Sequence, residues 1–356
     1  MNIPRGILQP AGLLMLIEIW CILMNENLIN VDNLKVYFPI RRGIFLQTVG
    51  YIKAVDGVNL KIKQNQDFAV VGESGSGKTT LGKSIVGLIK PTRGQILYSF
   101  GEKSFDMSKE LPIDVRQSVQ MIFQDPFSSL NPRLKIIDTL KEPLEIRGFL
   151  RSRKEIANYL GELLEKVGLK REYLYRYPHE FSGGQRQRIS IVRAISMKPK
   201  IVVLDEPSSS LDVSVQSQVL KLLQDIKKEY NLTYIFITHN ISVAKYMGQK
   251  IIVMYLGKII EINDPDKLID KPFHPYTQLL LSTVVEIKSE HVEKEIKIGE
   301  PPSPVNIPSG CRFRTRCPFA MEICAKTEPP LSDHEGSLVA CHLYSNKKKE
   351  ISVNNS

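Results

Sequence analysis

The sequence predicts an α/β fold built around a mostly parallel sheet, and three stretches of the chain carry that prediction. Each begins with a short apolar run typical of a strand buried on both faces: FAVV at 68–71, IVVL at 201–204 and TYIFI at 233–237. Each run leads directly into polar residues: GESGSGKT, DE and THN, respectively. Because ligands bind at the carboxyl ends of strands in such sheets, we expect these polar groups to meet at one edge.

The first stretch has the pattern of a phosphate-binding loop, in the required order of strand, loop and helix. Gly72, Gly75 and Gly77 let backbone N–H groups turn inward around phosphate oxygens without Cβ clashes. We expect Lys78 to reach the β- and γ-phosphates and Thr79 to give Mg²⁺ a hydroxyl ligand. A glycine-rich turn that binds nothing is the alternative, and the complete pattern argues against it.

The second and third stretches end in groups suited to hydrolysis. Asp205 follows a buried strand, where it can hold the water shell of Mg²⁺, and Glu206 beside it can polarise an attacking water. His239, at the end of the third strand, can contact the γ-phosphate and that water. Two adjacent acids could also merely cap the following helix.

The composition limits the class of protein. A chain of 356 residues with 42% hydrophobic and 24% charged residues is globular, with one large domain and a smaller one or with two domains. The formal charge of +10 suits nucleotide phosphates, nucleic acid or an anionic membrane face, and a solvated basic surface explains it equally well. Five cysteines make no disulfide scaffold, and four of them fall within 311–341.

Further motifs resemble those of ABC-transporter ATPases, in the family's order. FSGGQ at 181–185 resembles the signature motif, IFQDPFSSLNPR at 122–133 the Q-loop, and SSSLD at 208–212 the D-loop. An aromatic residue, Phe38, stands where the family stacks adenine. The resemblance implies a P-loop NTPase core with a mostly parallel sheet, an antiparallel β subdomain and a helical subdomain, followed by a small cysteine-containing C-terminal extension.

The same resemblance implies a head-to-tail dimer. The signature residues open a second helix whose N-terminus can bind an anion, and in the family they cap the ATP of the partner subunit. Gln124 is expected to approach Mg²⁺ and the lytic water, while segment 125–133 meets a membrane-embedded partner.

The expected site therefore has three sets of residues. The catalytic set is Glu206, His239 and Gln124, and the Mg²⁺ ligands are Thr79, Gln124 and Asp205. The nucleotide-binding set is Phe38, Gly72, Glu73, Ser74, Gly75, Ser76, Gly77, Lys78, Thr79, Thr80, Gln124, Asp205, Ser182, Gly183, Gly184 and Gln185.

Finer motifs resemble one branch of the family. YIKAVDGVNL, LDVSVQSQ and HPYTQLLL look like the ATP-binding subunits of oligopeptide and dipeptide importers, of the second of the two paired types. This implies ATP-driven uptake at the cytoplasmic face of the membrane, with a second ATPase subunit (a paralogue or a copy of this chain), two transmembrane permeases and, indirectly, an extracellular solute-binding protein. Sugars or nickel are alternative solutes. A soluble ABC ATPase acting on nucleic acid or ribosomes is the alternative class, and nucleic acid is not expected as a partner.

The expected domains follow from these motifs. Residues 1–24 form an N-terminal extension, which is either a hydrophobic or interfacial segment or the result of a true start at Met24. The ATPase domain covers 25–273, with its helical subdomain at about 125–190. The C-terminal domain of the importer type covers 274–345, and 346–356 form a disordered tail.

The cysteines have the spacing C-x5-C-x6-C-x16-C, which matches no common zinc or ferredoxin pattern. The run CRFRTRC at 311–317 alternates as a strand would, with arginines on one face. A straight strand would hold Cys311 and Cys317 roughly 20 Å apart, so shared ligation requires a turn.

Free buried thiols, disulfides and zinc are open alternatives for these cysteines. The resemblance implies a 4Fe–4S cluster on Cys311, Cys317, Cys324 and Cys341. Arg312, Arg314 and Arg316 could offset the cluster's charge, face a partner chain or form a solvated basic face.

Overall fold

The computed structural model describes residues 27–43, 45–101, 103–107, 109, 111–125, 130–148, 152–284 and 302–344. The predictions for the extension over 1–24 and the tail over 346–356 lie outside those residues. Within the described ranges, no helix combines the length and the apolar character that crossing a membrane requires.

Strands and helices alternate along most of the chain. The strands are β1 (Asn27–Arg42), β2 (Gln47–Lys63), β3 (Phe68–Val71), β4 (Arg93–Phe100), β5 (Lys103–Asp106), β6 (Val119–Ile122), β7 (Ile201–Asp205), β8 (Thr233–Ile237), β9 (Lys250–Tyr255), β10 (Lys258–Asn263), β11 (Ser332–His334) and β12 (Ser337–Val339). The helices are α1 (Lys78–Ile85), α2 (Ile113–Ser118), α3 (Ile136–Arg147), α4 (Arg153–Lys166), α5 (Gly183–Ile195), α6 (Val213–Tyr230), α7 (Ile241–Met247), α8 (Pro265–Asp270), α9 (Pro275–Val284) and α10 (Glu322–Lys326). Short 3₁₀ turns cover Arg171–Tyr175, Pro178–Glu180 and His342–Tyr344.

The central sheet has the strand order β11-β12-β10-β9-β3-β8-β7-β6. Strands β9, β3, β8, β7 and β6 are parallel to one another, whereas β10, β12 and β11 pair antiparallel. The side chains of β3, β7 and β8 are all buried, which explains their continuous apolar sequences. The prediction of a mostly parallel sheet built on these three strands is confirmed.

A second, antiparallel sheet has the order β2-β1-β4-β5. Its long strands pair from Asn27↔Lys63 to Arg42↔Gln47, with several register shifts that curve the ribbon. This sheet carries Phe38, and it corresponds to the antiparallel β part that the resemblance implies.

The helical part between β6 and β7 has its own apolar core. Helices α3, α4 and α5 bury residues such as Leu140, Leu160 and Ile189, each 0% exposed, against one another and against the central sheet. Helix α4 begins at a capping box, in which Ser152 Oγ accepts from the N–H of Glu155. This packing holds the start of α5 at a fixed position relative to the sheet.

The described C-terminal residues 302–344, here called the C-terminal module, join the central sheet rather than standing apart from it. Strand β12 pairs with β10 through Glu261↔Val339 and Ile262↔Leu338. The Phe313 ring is buried, with its centroid 5.4 Å from that of Tyr255 on β9 and 5.5 Å from that of Tyr276 on α9. The module therefore shares one apolar cluster with the ATPase part of the chain.

The segment 311–317 forms no strand, although its alternation fits one. The segment is a series of tight turns, in which the N–H of Arg314 donates to Cys311 O (3.2 Å) and the N–H groups of Arg316 and Cys317 donate to Phe313 O (3.0 and 3.1 Å). Of the three alternatives for the arginines, a solvated face does not hold for Arg312 and Arg316, which are 8% and 7% exposed. Both guanidinium groups pair with carboxylates far away in the sequence, the buried Asp56 and the partly exposed Glu73, and no strand pattern encodes such partners.

Candidate nucleotide-binding site

An open pocket of about 650 Å³ lies where the ends of the parallel strands meet the antiparallel sheet. It brings together side chains from five separate motifs. The predicted residues that line it are Phe38, Ser74, Gly75, Gly77, Lys78, Thr79, Thr80, Gln124, Glu206 and His239, and the residues that sequence reasoning missed are Ile52, Lys53, Ala54, Leu256 and Pro304.

The loop between β3 and α1 depends on glycine because neighbouring backbone lies against it. Gly77, with φ +103°, ends the loop, and a Cβ there would stand 2.1 Å from Ala54 O. A Cβ at Gly72 would stand 2.3 Å from Met254 O. The loop can therefore lie directly against β2 and β9 only with glycine at both positions.

Lys78 is buried inside this loop. Its Nζ donates to Gly72 O at 2.7 Å and to Glu73 O at 2.9 Å. Burial lowers the pKa of Lys78, and the carboxylates of Glu206, Asp205 and Glu73 oppose that shift. The ammonium group is thus held at the cradle by two carbonyls that it can exchange for phosphate oxygens.

Thr79 and Asp205 come together although 126 positions separate them. Thr79 Oγ1 donates to Asp205 Oδ1 at 3.0 Å. Burial raises the pKa of Asp205, and the hydrogen bond from Thr79 opposes that rise. A hydroxyl and a carboxylate beside a phosphate cradle fit Mg²⁺, which takes oxygen ligands, few of them from protein, and keeps several waters.

Glu206 lies at the junction of three motifs. Gln124 Nε2 donates to Glu206 Oε2 at 3.1 Å, and His239 Nδ1 lies 3.1 Å from Oε1. The backbone of Glu206 is left-handed, with φ +46°, and its N–H donates to Ile237 O. A non-glycine residue in this region is strained, and such strain concentrates at functional sites. His239 is 64% exposed, so this group opens to solvent.

The signature residues stand outside this pocket. Ser182 caps α5: its Oγ accepts from the N–H of Gln185 at 3.4 Å, and Gln185 Oε1 accepts from the N–H of Ser182 at 3.1 Å. Ser182 is exposed, and Gly183 and Gly184 form the first turn. None of the four lines the pocket formed by the described part of the same chain.

Comparison with known proteins gives the family. Residues 55–209 match the family described as ABC transporter, and residues 260–324 match the one described as oligopeptide/dipeptide transporter, C-terminal region. The oligopeptide transport ATP-binding protein AppF of Bacillus subtilis is 47% identical over 90% of this chain and 98% of its own length. The chain belongs to the ABC-transporter ATP-binding proteins of the oligopeptide/dipeptide group.

Other relatives agree with this assignment. OppF of Salmonella typhimurium, an oligopeptide transport ATP-binding protein, is 44% identical over 88% of this chain and 95% of its own length. Among solved structures, a dimeric ATP-binding cassette bound to ADP and Pi matches with a TM-score of 0.58 and 28% identity, over 67% of this chain and 98% of that one. Clostridium perfringens CbiO1, part of an ABC transporter complex, matches with a TM-score of 0.57 and 27% identity, over 69% and 92%.

The predicted fold class and the resemblance are therefore confirmed, and this ABC protein is an ATPase whose cofactors are ATP and Mg²⁺. The relatives do not favour the alternative of a nucleic-acid or ribosome ATPase, since they are transport proteins by description.

The four cysteines of the C-terminal module of this ABC ATPase form no disulfide. The N–H of Cys311 donates to Cys324 O at 2.7 Å. Burial, reinforced by the neighbouring thiols, raises the pKa of Cys317 to about 11 and that of Cys341 to about 12. No group of three or more His, Cys, Asp or Glu side chains in the described ranges is arranged to hold a metal ion, and the comparisons name no cluster.

Two arginines of the same module contact elements of the nucleotide site. Sequence reasoning missed these contacts. Arg316 pairs with Glu73 of the phosphate-binding loop, and Arg312 pairs with Asp56 on β2. The partners stand 243 and 256 positions apart, so spacing gives no signal for them. The one local signal was the placement of arginines at every second residue among the cysteines.

Proposed function

We propose that this ABC ATPase powers uptake of oligopeptides or dipeptides, as one of two nucleotide-binding subunits at the cytoplasmic face of the membrane. The observation that carries the proposal is the match of residues 260–324 to the C-terminal region of oligopeptide/dipeptide transporters. Relatives described as oligopeptide or dipeptide transport proteins, at 41–47% identity over most of the chain, support the same solute class.

In this proposal ATP lies between Phe38 and the phosphate-binding loop. Phe38 is 39% exposed at the pocket wall and can stack on adenine. The loop glycines and backbone N–H groups of 72–80 surround the phosphates, and Lys78 moves its ammonium from the carbonyls of Gly72 and Glu73 onto phosphate oxygens. Thr79, Asp205 and Gln124 would hold Mg²⁺, which when bound neutralises charge on the phosphates.

Glu206 acts as the general base for water attack. Its carboxylate is 16% exposed and lies between the amide of Gln124 and the imidazole of His239. A water bound between Glu206 and Gln124 is oriented towards the γ-phosphate and gives its proton to the carboxylate. His239 stabilises the departing phosphate. The strained backbone at Glu206 supports this role because it fixes the direction of the carboxylate.

The signature residues Ser182, Gly183, Gly184 and Gln185 act on the ATP of a partner subunit in a head-to-tail dimer. Two features support this: Ser182 is exposed at the N-terminus of a 13-residue helix, and the residues lie outside their own chain's pocket. Closure over two ATP molecules and release after hydrolysis would then drive the transport cycle.

A cleft of about 640 Å³ next to Phe123 supports the permease contact. It combines apolar side chains, among them Leu88 at 59% exposure, with several cations. We assign it to a short cytoplasmic helix of one of the two transmembrane subunits, which would connect that subunit to Gln124. The cations that line the cleft are Lys90, Lys109, Arg116 and Arg193.

We also propose that Cys311, Cys317, Cys324 and Cys341 ligate a 4Fe–4S cluster. Four cysteines lie within one small module, none of them forms a disulfide, and thiolates are the ligands such clusters take. Because the described residues hold no group of such side chains arranged around an ion, cluster binding would require the four thiols to move together. The test is iron and acid-labile sulfide per chain after anaerobic purification. A Cys317→Ser variant should lose both, and zinc or no metal in the parent chain would contradict the cluster.

The solute proposal is tested by uptake of a radiolabelled tripeptide into proteoliposomes that contain the complete transporter. Uptake should require ATP. The Leu88→Asp variant should abolish uptake but leave ATP hydrolysis by the isolated chain unchanged. The control variant Leu46→Asp, at another exposed leucine, should leave uptake intact. Uptake of nickel or a sugar in place of the peptide would overturn the peptide assignment and leave the ATPase assignment standing.

A further inference from the structure

The C-terminal module contacts the nucleotide site through two buried arginines, and the proposed ATPase mechanism does not use these contacts. Arg316 Nη1 and Nη2 lie 3.0 and 3.1 Å from Oε2 and Oε1 of Glu73, which is the two-point geometry of a strong guanidinium–carboxylate pair. Arg316 is 7% exposed. Glu73 is 27% exposed, so water reaches one side of the pair, but the two-point geometry makes the pair a specific contact, unlike a surface pair of little energetic value.

Glu73 is also the point where the loop's own contacts converge. Its carbonyl oxygen accepts from Lys78 Nζ at 2.9 Å, and its N–H donates to Tyr276 Oη at 2.8 Å. Arg316 therefore holds the residue whose backbone positions the phosphate-binding lysine. The carboxylate of Glu73 is a negative charge within the cradle for a polyanion, and Arg316 neutralises it.

A second arginine holds the adenine side of the site. Arg312 donates to Asp56 Oδ2 and to Leu256 O, and Asp56 Oδ1 accepts from the hydroxyl of Tyr37, the neighbour of Phe38. Burial alone would raise the pKa of Asp56, and the Tyr37 hydrogen bond with the Arg312 charge brings that pKa below its ordinary value. The adjacent N–H of Gly257 donates to Ser76 O of the phosphate-binding loop at 2.8 Å.

We propose that the C-terminal module is a part of the ATP site, in which Arg316 and Arg312 are positioning residues. Arg316 neutralises and orients Glu73 beneath the phosphates, and Arg312 fixes the strand and turn that flank adenine and Ser76. The module sets ATP affinity, whereas the chemical step depends on Gln124, Glu206 and His239, which come from other elements. The inference rests on the ATP site proposed above.

The opposite charges of Arg316 and Glu73 allow a test that compares a single variant with a double variant. Removing Arg316 leaves the Glu73 carboxylate unpaired beside the phosphates, so Arg316→Gln should raise the Kd for MgATP by roughly tenfold or more. Adding Glu73→Gln removes the repelling charge, so the double variant should bind MgATP more tightly than Arg316→Gln alone. A purely structural loss of module packing would not be relieved in this way.

The experiment is titration calorimetry of the full chain with a non-hydrolysable MgATP analogue, together with steady-state ATPase kinetics. Arg314→Gln is the matched control because Arg314 lies between the two arginines, yet among the described residues its guanidinium group donates to Ser309 of the same module and not to a nucleotide-site carboxylate. We expect Arg314→Gln to bind as the parent does, and Arg316→Gln to raise KM with kcat changed by less than about threefold. Arg316→Lys keeps the charge but not the two-point geometry, so it should fall between parent and Arg316→Gln.

Thermal unfolding without nucleotide checks that each variant is folded, and Arg316→Lys replaces Arg316→Gln if the latter is not. An unchanged Kd in a folded Arg316 variant overturns the proposal, as does a double variant no tighter than the single one. A parent chain that binds no MgATP overturns the ATP site itself, which is a different result from either of these.

Discussion

The side-chain amide of Gln124 donates to the carboxylate of Glu206 over 3.1 Å, which joins two residues that lie 82 positions apart. Gln124 follows β6 and Glu206 follows β7, and these strands are parallel neighbours. The contact thus connects the edge of the cleft that we assign to a permease helix to the proposed general base.

Gln124→Ala should slow ATP hydrolysis by the isolated chain by roughly tenfold to a hundredfold, because the attacking water loses one of its two orienting groups. The Kd for MgATP should change by less than about threefold, since the phosphate cradle is untouched. A phosphate-release assay measures the rate of hydrolysis, and calorimetry measures the Kd for MgATP. Gln120→Ala is the control, because Gln120 Nε2 donates to Arg116 O on α2 and Gln120 does not line the nucleotide pocket. Equal losses in both variants would contradict the role of Gln124.

Glu206→Gln should reduce turnover by roughly a hundredfold or more because the amide cannot accept the water's proton. The glutamine side chain keeps the shape of glutamate but removes a negative charge near the phosphates. ATP should therefore bind but not be hydrolysed, so ATP-bound dimers should accumulate. Sedimentation velocity with and without ATP measures the dimer, and Glu162→Gln serves as the control because Glu162 is an exposed carboxylate on α4. Persistent turnover in the variant would mean that another group is the base.

Much of this site could be predicted from the sequence because its parts are encoded locally. The loop at 72–79 has a fixed length, and Gly72 and Gly77 are required by backbone that passes within 2.1–2.3 Å of their missing Cβ positions. Asp205 and Glu206 end a strand whose apolar run identifies it as buried. In such cases the residue types and their spacing determine the conformation.

The contacts of the C-terminal module could not be predicted in the same way. The alternation at 311–317 fits a strand, yet the partners of Arg312 and Arg316 are carboxylates on β2 and in the loop after β3. Pairing with these distant carboxylates, and not a period of two, accounts for the burial of the two arginines. Pro304 also lines the nucleotide pocket, and no local pattern in the sequence predicts this position.

Gly77→Ala should destabilise the nucleotide-free chain by about 2–3 kcal/mol, because the Cβ would overlap Ala54 O and the residue has φ +103°. Gly101 has φ +67°, but a Cβ there would meet nothing within 4 Å. Gly101→Ala should therefore show the destabilisation from backbone strain alone, about 1 kcal/mol. Chemical denaturation of both variants measures the difference. Equal destabilisation would show that the contact with β2 is unimportant.

His274 should make the stability of the chain depend on pH. Full burial lowers its pKa from 6.5 to about 3, and Nδ1 accepts from the N–H of Tyr276. A group with a lowered pKa contributes stability above the unfolded pKa and loses it as pH falls, because the unfolded state binds the proton first. Between about pH 7.5 and about pH 5.5, this loss is about 1.4 kcal/mol.

The comparison variant is His274→Asn, whose amide oxygen can accept the same hydrogen bond but does not titrate. The buried Glu261, which accepts from the backbone N–H of His274, is present in both proteins and cancels. Denaturant unfolding at the two pH values should therefore show a smaller pH effect in the variant. The same pH effect in both proteins would assign it to other groups.

The pairing of β12 with β10 has a consequence for how the protein is made. Val339 lies 78 positions after its partner Glu261, so the ribosome must pass residue 339 before the central sheet receives its last two strands. Until then β10 offers an open edge to any other extended chain. The nascent ATPase therefore passes through a stage in which a chaperone or rapid arrival of the C-terminus has to protect that edge.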